Sequence, residues 1–488
     1  MASAGFLIYS GVMPLLKTLL SIIVGYVLAR MELFPRASSK GASQLTMNVA
    51  LPLLIFSNIV PAFTPQNVSA IGPMFLIAFI YQGFGFFFGI LIREIFYVPR
   101  NFWQGIIIVT GLSNWGNLPN AIVLSVTAQA PFDPSTDPAL GVSFVAIFTV
   151  AYHITFFVGG AAHSLSWDYL PGIPQGEAAE LHVPWKQKPL GSLFARYILK
   201  ENAFPPPSLS KSPMEVEAAL DETNEGKGLE DSPSGSTIHL GSDEEGHQLT
   251  RQTTRVSIVS TGPYPVLPTP SQSSTPQATS VLSENDQRNK FSFIPPVVRR
   301  VIRHLSTIVT PVTVSLAISL PIALIQPLKA LFVDISSLGG PNLKGPDGRP
   351  PLAFITDTAD FIGSMTVPLA LILLGASFAR LSVPRPFSRL PILAMLAVTF
   401  AKMLVLPVIG VFVVQAMIKG GLINHNSRVE KFVAMLLSGS PSAVNQLIVA
   451  SLYSPDGNVD TLAAFLLVQY VLMFISSSAL TAVSLLLS

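Results

Sequence analysis

The stretch GLSNWGNLPNAIV, residues 111–123, sits in the middle of an apolar run, and LLSGSPSAVNQLIV, residues 436–449, sits in the middle of another. Each places a proline among Gly, Ser and Asn where a membrane-spanning helix would be at mid-depth. Proline removes a backbone donor, and an unpaired polar group in hydrocarbon costs several kcal/mol. Broken helices therefore persist in membranes only where the freed backbone lines a cavity or is buried in protein. Matching breaks in two halves of one chain point to the substrate site of a transporter.

Composition agrees. Half of the 488 residues are apolar, 11% are charged and the mean hydropathy is +0.54, a balance foreign to soluble domains. The net charge of +2 selects no charged partner, and no nucleic-acid partner is expected. Without cysteine there are no disulfides, thiolate metal sites or cysteine nucleophiles. The first apolar run is too long for the core of a signal peptide and reads as a retained span.

Stretches of the length needed, roughly 20 residues or more, fall at 6–29, 42–60, 71–96, 102–128 and 139–163, and again at 300–326, 351–379, 388–417, 430–452 and 460–487. The expected organisation is a first five-helix repeat (1–164), a disordered cytosolic loop (165–296) and a second five-helix repeat (297–488). The loop is rich in Ser, Pro, Thr and Glu and too polar to bury a core; PLGSLFARYILK, Pro189–Lys200, reads either as a short interfacial helix or as partly ordered linker. Basic residues in the short loops of the first block, Arg30, Arg36, Lys40, Arg93 and Arg100, set the orientation: both termini non-cytosolic, long loop cytosolic. An odd number of spans per block inverts the second block. NLPNA (117–121) then pairs with GSPSA (439–443), and NVALPLLIF (48–56) more loosely with MTVPLALILLGA (365–376). The fold class is an all-α integral membrane protein with crossing, broken fourth and ninth helices.

Each half-helix after a break starts with unpaired amides and the positive end of its dipole. Pro119 and Pro441 suit the first helical position, with Asn117 and Gly439 or Ser440 at the caps. Two such ends facing one cavity make an anion site without a formal cation, and a carboxylate is the natural guest. Asn114, Asn117, Asn120, Ser442, Asn445 and Gln446 add neutral donors; against this stands the reading in which they only re-satisfy the broken backbone. Among ionisable residues within spans, Lys402 lies too deep to snorkel, whereas Lys17 snorkels or acts, and His153 is a packed core histidine or a functional one. No acidic residue sits mid-membrane, which disfavours coupling through a buried carboxylate. No phosphate-binding loop, metal spacing or other enzyme signature is present, so neither catalysis nor a cofactor is expected. Thr253, Thr254 and Ser257 in the loop resemble kinase targets.

With these residues in view, the chain resembles the auxin efflux carrier superfamily: the PIN-FORMED carriers and especially the PIN-LIKES branch with its fungal members. GLSNWGNLPNAIV is close to that branch's Gly-Asn-x-Gly-Asn motif, and PSAVNQ to its ninth-span motif; the resemblance covers both membrane blocks and not the loop. It implies two inverted five-helix repeats, a scaffold and a transport domain, elevator-type movement, and export of indole-3-acetic acid or similar weak organic anions. It puts Pro119, Asn120 and Pro441 at the crossover, Asn120 on the carboxylate, and Asn445 on the family's ninth-span Asn. The PIN-FORMED carriers have an Asp and a Lys in the third span where this chain has Tyr81 and Gln82. The resemblance also implies an endoplasmic reticulum membrane, with a homodimer left open. Three functions stand: a facilitator for auxin-like anions, a sodium- or proton-coupled symporter on a similar crossover fold, and a non-transporting regulator.

Overall fold

The computed structural model describes residues 4–64, 67–198, 309–336, 339–381 and 390–488. The described residues are helical, with no strand among them beyond one isolated bridge. In chain order the helices used here are α1 (Ala4–Arg30), α2 (Arg36–Ala62), α3 (Val68–Ile95), α4 (Trp103–Gly111), α5 (Asn117–Thr127), α6 (Asp137–Val158), α7 (Pro189–Tyr197), α8 (Pro311–Leu324), α9 (Gln326–Phe332), α10 (Ala353–Arg380), α11 (Ile392–Lys419), α12 (Arg428–Leu437), α13 (Asn445–Tyr453) and α14 (Asp460–Leu487).

Six of these, α2, α3, α6, α10, α11 and α14, are long and apolar enough to cross a membrane. Their outward faces stay apolar: Phe361, Phe412 and Ile475 stand exposed, which in water would be a liability and in lipid is the solvent-facing side. The chain is thus an integral membrane protein.

Both quoted segments are broken helices, α4 with α5 and α12 with α13. The chain turns through 109° between α8 and α9, at the end of the span expected over 300–326. Ile325 is extended there (φ −92°, ψ 103°), and Pro327 sits in the first turn of α9, where its ring would clash with the carbonyl one turn back if the helix of α8 simply continued.

Two spans carry a π turn just ahead of a proline: Thr46–Ala50 before Pro52 in α2, and Ala401–Val405 before Pro407 in α11. A mid-helix proline ring clashes with the carbonyl one turn back, and a widened turn relieves that contact. Glycines let spans approach closely. α1 crosses α10 with Gly25 against the Ile372 backbone and Gly375 against that of Ile22, and Gly363 meets the Leu54 backbone of α2. One apolar core runs through α2, α3, α5, α6 and α12; a second joins α1, α4, α10, α11, α13 and α14.

Residues 165–188, placed in the disordered loop by composition, carry short helical turns, and α7 falls on the stretch read as a short helix or partly ordered linker. Polar side chains that composition counts against order here serve as caps. The Asp168 carboxylate accepts from the Gln104 and Gly105 amides at the start of α4 at 2.8–3.0 Å. Lys188 Nζ donates to the Arg93, Glu94 and Phe96 carbonyls closing α3. The rest of the expected loop, with Thr253, Thr254 and Ser257, lies outside the described residues.

Candidate functional site

A broken helix frees carbonyls on one side of the break and amides on the other. Here the carbonyls are satisfied by side chains from the other half of the chain. Gln446 Nε2 donates to Leu112 O at 2.9 Å, and Lys402 Nζ donates to Thr110 O at 3.0 Å and Ser113 Oγ at 2.9 Å. Ser442 Oγ reaches Val109 O and Gln469 Oε1. Reciprocally, Trp115 Nε1 donates to Leu437 O at 2.9 Å, and Tyr81 OH to Ala434 O at 3.1 Å. The backbones join directly: Ser113 and Ser442 form an antiparallel bridge, and the Asn114 amide donates to Pro441 O at 2.6 Å.

This bookkeeping separates the sequence-expected residues. Ser442, Gln446 and Lys402 are fully buried in the seam and do not line the cavity beside it. Their donors are engaged by backbone and side-chain acceptors within the seam, so they hold the break together. The expected caps also move. Gly116 caps α5, with Asn117 as its first and Pro119 its third residue, and Val444 precedes α13. Pro441 stays in the extended stretch because its carbonyl is engaged across the bridge. Neither proline lines the cavity, and the Asn117 side chain lies outside what the structure describes. Gln82 accepts from Thr155 Oγ1 at 2.5 Å, away from the cavity.

Asn114, Asn120, Asn445 and His153 do come together around one cavity of about 120 Å³. One wall is the two breaks. A second is a single face of α6, including Ala146, Thr149, Tyr152 and His153. The third is apolar, from Leu51, Leu54 and Ile55 of α2 and Val367, Ala370 and Leu371 of α10. Asn114 Oδ1 accepts from the Gly116 amide at 3.3 Å while its Nδ2 reaches Tyr470 OH at 3.4 Å. The Asn445 carboxamide faces the Tyr152 hydroxyl. Thr149 Oγ1 donates to Trp115 O at 2.7 Å, fixing the break against α6. Four polar atoms of the cavity's side chains are buried with no hydrogen-bond partner in the protein: Asn120 Oδ1, Tyr152 OH, His153 Nε2 and Thr366 Oγ1. Such atoms are costly unless something else satisfies them. None of the lining residues is acidic or a lysine or arginine.

Sequence reasoning missed Tyr152, Thr149, Asn58 and Thr366. The hydroxyls sit on otherwise apolar helices, where they read as core. Tyr152 and Thr149 are three residues apart, a same-face spacing that marks them only once the inward face of α6 is known.

A family model described as membrane transport protein matches residues 10–481. The chain belongs to that family. Protein PIN-LIKES 2 of Arabidopsis thaliana is 27% identical over 472 residues, covering 91% of this chain and 87% of the relative. Protein ECM3 of Saccharomyces cerevisiae is 23% identical, and an uncharacterized transporter of the same yeast 22%, each over 97% of both chains. The carrier thus stands with the PIN-LIKES and fungal members, a family of transporters rather than enzymes.

Proposed function

We propose that this carrier is a facilitator for weak organic anions of the auxin type, such as indole-3-acetate, working by an elevator-type movement. The observation that carries the reading is the cavity at the bridged breaks: neutral amides on one wall, apolar side chains on the opposite one, and no acidic residue in the lining. An aromatic carboxylate matches both walls. Its carboxylate lies at Asn120 and Asn445, where the half-helices begin with the positive ends of their dipoles, and its ring lies toward α2 and α10. At about 120 Å³ the cavity is below the roughly 300–1,000 Å³ of pockets that enclose drug-sized ligands, so loading a ring requires α2 and α10 to move apart from the breaks. In this reading the spans form ten, as two inverted five-helix repeats with α4–α5 and α12–α13 crossing. Both termini are non-cytosolic, and the membrane is that of the endoplasmic reticulum.

Uptake of radiolabelled indole-3-acetate into vesicles holding the purified carrier, with and without sodium and proton gradients, tests this. Saturable uptake without a sodium gradient is expected; absence of uptake for every carboxylate tried would overturn it. Proton-coupled movement is the second reading, and His153 in the cavity wall favours it over a sodium-coupled one.

A further inference from the structure

His153 is the basic residue of the cavity lining, and its tautomer is determined by its neighbour. Nδ1 lies 2.7 Å from the Thr149 carbonyl oxygen, which only accepts, so Nδ1 carries the hydrogen. In the neutral ring Nε2 is then a bare lone pair. It is buried, it borders the cavity, and no protein group satisfies it. A lone pair and a carboxylate oxygen repel each other. They attract only when one proton lies between them, whether it is counted on the ring or on the acid.

We propose that His153 Nε2 is a proton site that fills together with the substrate, so that each carboxylate is bound with one proton. This rests on the carboxylate reading of the cavity and adds its proton stoichiometry. The proton comes from water as the anion enters, bridges Nε2 and one carboxylate oxygen, and leaves with the anion; no other bond changes. The bound complex carries no net charge. A site walled by lipid-embedded helices and devoid of lysine and arginine then never has to hold an uncompensated anion.

No other charged group competes for this role. α6 packs against α2, α3, α5, α8 and α12. Their titratable residues are Arg36 and Lys40 on α2, Tyr81, Arg93 and Glu94 on α3, and Arg428, Glu430 and Lys431 on α12, and none lines the cavity. Tyr470 of α14 interacts with Tyr152 and is likewise outside the lining. Asp137, at the start of α6, hydrogen-bonds to the Asp133 amide. Within the lining, the titratable side chains are Tyr152 and His153.

The experiment uses the full-length chain in detergent, with indole-3-acetate, benzoate and acetate as probes. Calorimetry in buffers of different protonation enthalpy counts the protons taken up on binding. One per carboxylate is expected, with affinity weakening about tenfold for each pH unit across the range in which the free site is unprotonated and the complex still holds its proton. His153→Gln should lose both the proton uptake and the pH slope, and Tyr152→Phe, whatever its affinity, should keep the one-proton count and the slope. A parent that binds a probe with no proton uptake overturns this inference and leaves the carboxylate reading standing; a parent that binds none of the probes overturns both. A slope that survives in His153→Gln, or vanishes in Tyr152→Phe, assigns the proton elsewhere and refutes the proposal. If His153→Gln does not stay monodisperse, the parent's proton count and Tyr152→Phe decide the matter.

Discussion

Replacing Gly375 by alanine probes the tightest helix crossing in the carrier. A Cβ there would stand 1.9 Å from the Ile22 carbonyl oxygen, and one on Gly25 would stand 2.1 Å from that of Ile372, whereas ordinary contact begins near 3.4 Å. Both obstacles are backbone, so no side chain can rotate away. α1 and α10 must part locally by about 1.5 Å, and overpacking of this kind costs about 1–3 kcal/mol. Gly83→Ala in α3 is the control. It meets nothing within 4 Å and removes a helix-interior glycine, which should stabilise by about 0.5–1 kcal/mol. Thermal melting of the purified protein in one detergent should rank Gly83→Ala at or above the parent and Gly375→Ala clearly below it, a separation of about 1.5–4 kcal/mol. Equal melting of Gly375→Ala and parent would show that the two spans do not touch through these glycines.

Three further outcomes are expected. Asn120→Ala and Asn445→Ala should each weaken carboxylate binding roughly ten- to a hundredfold, the loss of one hydrogen bond to a charged group, in an equilibrium binding assay on monodisperse protein; unchanged affinity in both moves the site elsewhere. Lys402→Met deprives the Thr110 carbonyl and Ser113 hydroxyl of their donor and should cost about 1–3 kcal/mol per buried group left unpaired, read as a lower melting temperature; a melt equal to the parent's would refute its role in the seam. Burial pushes the Asp168 carboxyl up to about 6, although the Gln104 and Gly105 amides and Arg100 draw it down. The folded protein then holds this proton more tightly than the unfolded chain does, so its contribution to stability is fully present near pH 4 and is lost as pH rises through about 6, at most about 3 kcal/mol. The difference in melting temperature between parent and Asp168→Asn should change across that window; a constant difference would be the contrary result.

The breaks were legible because proline, glycine and asparagine in mid-span leave few alternatives, and α4–α5 and α12–α13 part where those residues lie. What each polar residue does there was not legible. Asn120 and Asn445 face the cavity, while Ser442 and Gln446, the same kind of residue a few positions away, are turned into the seam. That choice depends on which carbonyls of the other half come within reach, a relation between residues hundreds of positions apart. The turn into α9 falls at the end of the span expected over 300–326, and the short helix beyond it was not read from the sequence. The order of residues 165–188 was hidden for a different reason. Composition measures whether a segment can build its own core, and this one is held instead by helix ends that already exist.

α2 presents Leu51, Leu54, Ile55, Asn58 and Ile59 to the cavity, a stripe that runs on for two helical turns where a compact site needs only one. Because the two breaks are tied to each other through Ser113 and Ser442, the elevator movement proposed above would carry them together, with α2 as the track. A slide of one helical turn, about 5.4 Å, would bring a guest held at Asn120 and Asn445 from the level of Leu51 and Leu54 to that of Ile55 and Asn58. The guest would keep its polar partners and exchange only its greasy neighbours, so the track offers similar footing at each stop and no deep well in which the cargo would stall.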